Sequence, residues 1–186
     1  MKDMERSLSR TEWREAATGG LYAGLAYALL TIAAHAGRSM PGLVTILNAV
    51  SFFSFAGFLY FYARRMAAYA GGDGFSYGRS LLFVLKMSLF AGVLAGVGQF
   101  VLVNWIDPEG FREQFDLMVA NMAGGGMGEK EAEMAGSLGL KLMRNPLFAV
   151  FSGIFSMLIY GGLLVLLISI FVRRPADPFG GGTSAE

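Results

Sequence analysis

Apolar residues in this chain gather into four long runs free of Asp, Glu, Lys and Arg: residues 16–37, 39–63, 87–106 and 145–172, of 22, 25, 20 and 28 residues. A helix climbs about 1.5 Å per residue, so roughly 20 apolar residues cross a hydrocarbon layer of about 30 Å. Each run meets that length. Backbone amides in lipid must bond within their own segment or within a closed barrel. The runs are continuous and lack the period-two alternation of barrel strands, so they are predicted as helices. The first run is read as a span rather than a cleaved signal, although Ala34-His35-Ala36 has the small-x-small form. It is longer than an h-region of about 7–15 residues, and Asp3, Glu5, Glu12 and Glu15 interrupt the bases before it.

The predicted fold is all-α, an integral membrane four-helix bundle in a single membrane domain over 1–186. Its spans lie at about 16–37, 40–63, 81–106 and 146–172, with a flexible tail over 175–186. The connections differ in kind. The first, 37–42, is a tight turn carrying Pro41; the second, 64–80, is basic and contains "GGDG"; the third, 107–144, is long. Within it, Phe111, Phe115, Met118 and Met122 recur at helical spacing, as do Met134, Leu138 and Leu142 after the "GGGMG" break. An amphipathic helical hairpin over about 108–144 is expected, either lying on the membrane or capping the bundle, with these seven residues as its contact face. Pro146 begins the fourth span, where a missing amide proton costs least.

Charge adds an orientation. With four spans, Lys2, Arg6, Arg10, Arg14, Arg64, Arg65, Arg79, Lys86, Arg173 and Arg174 fall on one side, against Arg38, Arg112, Lys130, Lys141 and Arg144 on the other. The positive-inside rule then places both termini in the cytoplasm, with the long connection outside. Tyr60, Tyr62, Tyr69, Phe75 and Tyr77 crowd the inner boundary and Trp105 marks the outer one, as interfacial aromatics do. Lys86 closes the third span from inside. With no carboxylate inside the spans to pair with, it is read as extending its ammonium toward the headgroups. Arg64, Arg65, Arg79 and Lys86 form a candidate inner patch for topology and anionic lipid, or for a lipid phosphate or cytoplasmic partner.

Composition narrows the chemistry. A mean hydropathy of +0.51 fits a membrane protein, and the net charge of +1 gives no footing for nucleic acid. The absence of cysteine removes thiolate metal sites and cysteine nucleophiles. The spans hold no Asp or Glu, and the one histidine, His35, sits near an outer end, where an interfacial hydrogen-bonding role is expected. No catalytic residue, cofactor or metal site is expected. Counting inward from the outer ends, Thr31, Asn48, Gln99 and Ser152 lie five to seven residues deep, one polar side chain per span at about 8–10 Å. Interhelical hydrogen bonds would fix register there; alternatively, this layer is the floor of a water-filled vestibule. Gly20, Gly24 and Ala28, Gly92 and Gly96, and Gly153 and Gly161 form small faces for close packing, within the bundle or between chains.

The order of parts resembles the bacterial domain-of-unknown-function family 4199. It is carried by "GGLYAGL" opening the first span, "FSYGRSLLF" entering the third, "IDPEGFREQFDLMVANMAGGGMGEKEAEMAGSLGLKLMRNP" outside, and "ISIFVRRP" ending the fourth. The triple glycine departs from the family's usual Glu- and Gln-rich linker. The resemblance implies a small four-span inner-membrane protein and no activity. The expected function is a non-enzymatic accessory or scaffold subunit of an envelope assembly; the alternative is an oligomeric transporter or channel for a small solute or lipid. The expected partners are the lipid bilayer and a membrane or envelope protein or a second copy of the chain, and not nucleic acid.

Overall fold

The computed structural model describes residues 2–70 and 75–172, with side chains from residue 9 onward. The "GGDG" turn, Arg173, Arg174 and the tail 175–186 lie outside the described residues. Among the described residues six α-helices follow one another: α1 (Lys2–Ala36), α2 (Pro41–Tyr69), α3 (Tyr77–Val101), α4 (Pro108–Gly124), α5 (Glu129–Met143) and α6 (Pro146–Val172). A π-helical turn, Leu102–Ile106, continues α3 to the start of α4. Four of these helices are long and apolar enough to cross a membrane: α1 from Ser9, α2, α3 with its π turn, and α6.

The helices outrun the charge-free runs at one end. α1 begins well before residue 16, α2 continues through Arg64 and Arg65 to Tyr69, and α3 starts at Tyr77. Charge marks where water begins, but backbone bonding continues while the side chains find partners. Local signals set the other boundaries. Pro41, Pro108 and Pro146 open their helices, where the lost N–H would be unbonded anyway. Ser76 accepts from the Arg79 amide, Asp107 from Gly110, and Asn145 from Leu147 and Phe148, each side chain closing a first turn. Gly126, at φ +99°, makes the turn between α4 and α5.

α3 is the hub, packed along α1 on one side and α6 on the other, while α2 leans on α1 and meets α6 over a short length. Lipid offers no hydrophobic force to drive helices together, so close approach depends on small residues. A methyl group at Gly92 or Gly96 would overlap the α6 backbone at Ile154 and Val150, and one at Gly153 would overlap α3. Gly20 and Gly24 meet α3 at Met87 and Ala91 in the same way. The glycine faces are therefore used inside the bundle. Between α3 and α6, the Ser169 hydroxyl donates to Ser80 at 3.0 Å, with both side chains fully buried.

The core is concentrated toward the end where α2 finishes and α3 begins, around Phe55, Leu59, Met66, Phe83, Met87 and Val165. At the opposite end α2 contributes no buried residue before Ser51. The bundle is sealed at one end and open at the other.

Candidate functional site

The open end carries a cavity of about 560 Å³. Thr31 and His35 of α1, Asn48 of α2 and Gln99 of α3 line it, with Arg38 and Phe111 at its rim. Three of the four residues in the expected polar layer thus share one space. Ser152 does not: it lines an adjoining cavity of about 160 Å³ with Tyr27, Gln99 and Ser156. A third cavity, about 380 Å³, shares Thr31 and Asn48 with the first and continues past Tyr27, Ser51 and Tyr160 to Phe55 and Met157.

The expected interhelical bonds of this layer are not what the geometry holds. Thr31 Oγ1 donates to the carbonyl of Tyr27 on its own helix, at 2.8 Å. Among the described residues, Asn48, Gln99 and Ser152 make no side-chain hydrogen bond to a neighbouring helix. These polar side chains line the cavities between the helices instead. Ser51, one turn deeper than Asn48, is only 5% exposed, and its hydroxyl has no partner.

A polar latch closes the rim. The His35 ring donates from Nε2 to Asp107 Oδ2 at 2.6 Å, and Arg38 donates to the same oxygen. Asp107 Oδ1 meanwhile accepts from Gly110 N at 3.1 Å. Phe111 stacks on His35, with ring centroids 5.3 Å apart and planes 13° from parallel. The start of α4 is thereby fixed over the end of α1. His35 was expected at the interface; its tie to Asp107, 72 residues away, was not legible in spacing alone.

The α4–α5 pair divides the expected contact face. Phe115 and Val119 of α4 pack against Gly139 and Gly136 of α5, with Ala132 buried beside them. Phe111, Phe115, Met118 and Met122 are all partly buried. In α5 the small residues form the inward face, whereas Met134, Leu138 and Leu142 point out, at 69%, 56% and 39% exposed.

At the sealed end, the reading of Lys86 as lacking a carboxylate is corrected. Its ammonium donates to Glu12 Oε1 at 2.6 Å and lies 4.8 Å from the centre of the Trp13 ring. Arg79 approaches the other oxygen of Glu12 at 3.7 Å, and Arg65 reaches Glu15 at 3.4 Å. Both acids are nearly buried, at 8% and 6%. They precede the first charge-free run, yet the helix carries them onto the face that packs on α2 and α3. Three members of the expected cationic patch thus sit beside two internal carboxylates. Arg64 is exposed and outside these pairs.

Four membrane-length helices define an integral, multi-pass membrane protein, with adjoining cavities at its open end. The family model described as "Protein of unknown function (DUF4199)" matches residues 18–174, and the chain belongs to that family. No curated protein and no solved structure matches it.

Proposed function

We propose that the chain is a non-enzymatic protein of the bacterial inner membrane, with both termini cytoplasmic, that serves as an accessory or scaffold subunit of an envelope assembly. The observation that carries this reading is the outward face of α5. Met134, Leu138 and Leu142 are exposed on a helix outside the four spans, while that helix packs through glycine and alanine instead. Large apolar side chains excluded from their own fold are available to a partner. The ten-to-five distribution of basic residues supports the orientation. Native mass spectrometry of the complex released from its own membrane tests the proposal. A second protein should co-migrate, and should be lost when Met134, Leu138 and Leu142 are changed together to Gln. Full activity of the chain alone in liposomes would refute it.

A transporter for a small solute or lipid is the second reading, favoured by the cavity at Thr31, Asn48 and Gln99. With the other end sealed by core side chains, conduction would require the sealed end to open in turn. Flux in reconstituted vesicles that disappears in Asn48→Leu or Gln99→Leu would support it.

A further inference from the structure

We infer that the deep cavity between α2 and α6 is a binding site for an uncharged, hydrogen-bonding group of the polyol or glyceride class, with Ser51 in its wall. The site does not depend on what α5 contacts. Its second, independent mark is Ser51 itself. A hydroxyl buried in a membrane span without a partner is costly, and serine in a helix ordinarily returns its proton to the carbonyl four residues back. Thr31, Thr45 and Ser88 do so. Ser51 does not, and it lines the cavity.

Depth and lining set the ligand class. Ser51 lies ten residues into α2, about 15 Å from its start and near the middle of a hydrocarbon layer of about 30 Å. Around it stand Tyr27, Thr31, Asn48 and Tyr160, which offer hydroxyls and an amide but no charge. A charged ligand would be unpaired at that depth, and an unpaired charge near the middle of a hydrocarbon layer is strongly disfavoured. The ions at the rim neutralise one another around Asp107, and so do not select a charged ligand. Phe52 of α2 and Tyr160 of α6 line the cavity and are 43% and 46% exposed. Entry is thus open sideways from lipid as well as through the rim from water, and the same chemistry serves a neutral glyceride or a free polyol.

Because the chain has no cysteine, Ser51→Cys supplies a single reporter of nearly the same size. The thiolate attacks the sulfenyl sulfur of a thiosulfonate, forming a disulfide and expelling sulfinate, and the thiolate forms only where water reaches. In nanodiscs of phosphatidylcholine, aminoethyl methanethiosulfonate should label Ser51→Cys much faster than Ser88→Cys, whose site is fully buried. A probe at about ten times its Kd should then slow labelling roughly tenfold by mass action. Slowing by dioleoylglycerol assigns the lipid source, and slowing by sorbitol the soluble one. Either result supports the site. A thiol at 51 as inert as one at 88, or a reactive thiol slowed by neither probe, overturns it. Stronger slowing by phosphatidylglycerol than by dioleoylglycerol overturns the uncharged class. Should Ser51→Cys fail to fold, Asn48→Cys reports in its place. There, protection by the effective probe should survive in the parent and fall severalfold with Ser51→Ala; unchanged protection overturns the role of Ser51.

Discussion

Replacing Glu12 with Gln removes one charge and leaves the shape of the side chain almost unaltered, so its cost measures the ion pair with Lys86. An exposed pair is worth about 0–1 kcal/mol, whereas stripping one partner from a buried pair costs about 3–5 kcal/mol. The geometry lies between these limits. The Glu12 side chain is 11% exposed and that of Lys86 25%, so water still reaches the ammonium but hardly the carboxylate. A loss of about 2 kcal/mol is expected, which for a chain of this size lowers Tm by about 4–8 °C. Lys86→Met should cost less, because Arg79 stays within 3.7 Å of Glu12 and the apolar stem is retained. In the double variant neither charge is stranded, so the cycle should show a coupling of about 1 kcal/mol or more. Trp13 supplies the readout, since the Lys86 ammonium lies 4.8 Å from its ring. Trp105→Phe removes the other tryptophan, making thermal or denaturant unfolding in detergent a one-site signal. The coupling should persist in high salt, because a partly buried pair is poorly screened. If Glu12→Gln leaves Tm within about 1 °C of the parent and the cycle closes with no coupling, Lys86 acts as an independent headgroup-seeking charge and the reasoning fails.

Glycines divide into two classes with opposite expected signs. Gly153→Val should prevent α3 and α6 from meeting and abolish a monodisperse folded peak in size-exclusion chromatography, because its Cβ would overlap the α3 backbone. Gly57→Ala and Gly162→Ala meet open space and should stabilise by about 0.5–1 kcal/mol, measured as a rise in Tm. Asp107→Ala removes the cap on α4 and the anchor for His35 and Arg38 together. It should cost about 1–2 kcal/mol and speed amide exchange across 108–124 while leaving α2 unchanged. Changing Met134, Leu138 and Leu142 individually to Gln should move stability by no more than about 0.5 kcal/mol, since none is packed in its own fold; a larger loss by calorimetry would place them in a core.

Hydrophobic run length reported the four spans because crossing a membrane is a constraint on consecutive residues, and the prolines at 41, 108 and 146 reported the starts of three helices for an equally local reason. Pairing across sequence was less visible. Glu12 and Glu15 looked like soluble flanking charges, but they continue the face of Ala16, Gly19 and Ala23 at three- and four-residue steps. Acids in phase with a small-residue face were the available signal for buried carboxylates. In α5 the stripe of Met134, Leu138 and Leu142 and the small-residue face lie on different sides of the helix. Ala132, Gly136 and Gly139 are the face that allows α4 to approach, so the larger residues are turned outward. Depth counting placed Thr31, Asn48 and Gln99 at one level, and all three line one cavity; it could not foresee that they would be unbonded across it.

That cavity has its own cause in the sequence of α2. The three helices that pack closely, α1, α3 and α6, do so through Gly20 and Gly24, Gly92 and Gly96, and Gly153, each permitting near backbone contact. α2 has no equivalent: Gly42 and Gly57 face open space, and its first ten residues are led by Leu43, Val44, Ile46 and Leu47. Only beyond Ser51 do Phe55, Leu59, Ala63 and Met66 fill the interface with α1 and the core. The helix is therefore held along its second half and stands away along its first. The polar residues of that first half, Thr45 and Asn48, line the cavity this produces, where a tight seam would have buried them. Installing a small face there should test the cause directly. Changing Val44 and Leu47 to Gly or Ala should let α2 close toward its neighbours and reduce thiol labelling at position 51. Labelling that is unchanged would mean that α2 is held away by the latch at Asp107 rather than by the bulk of its own side chains.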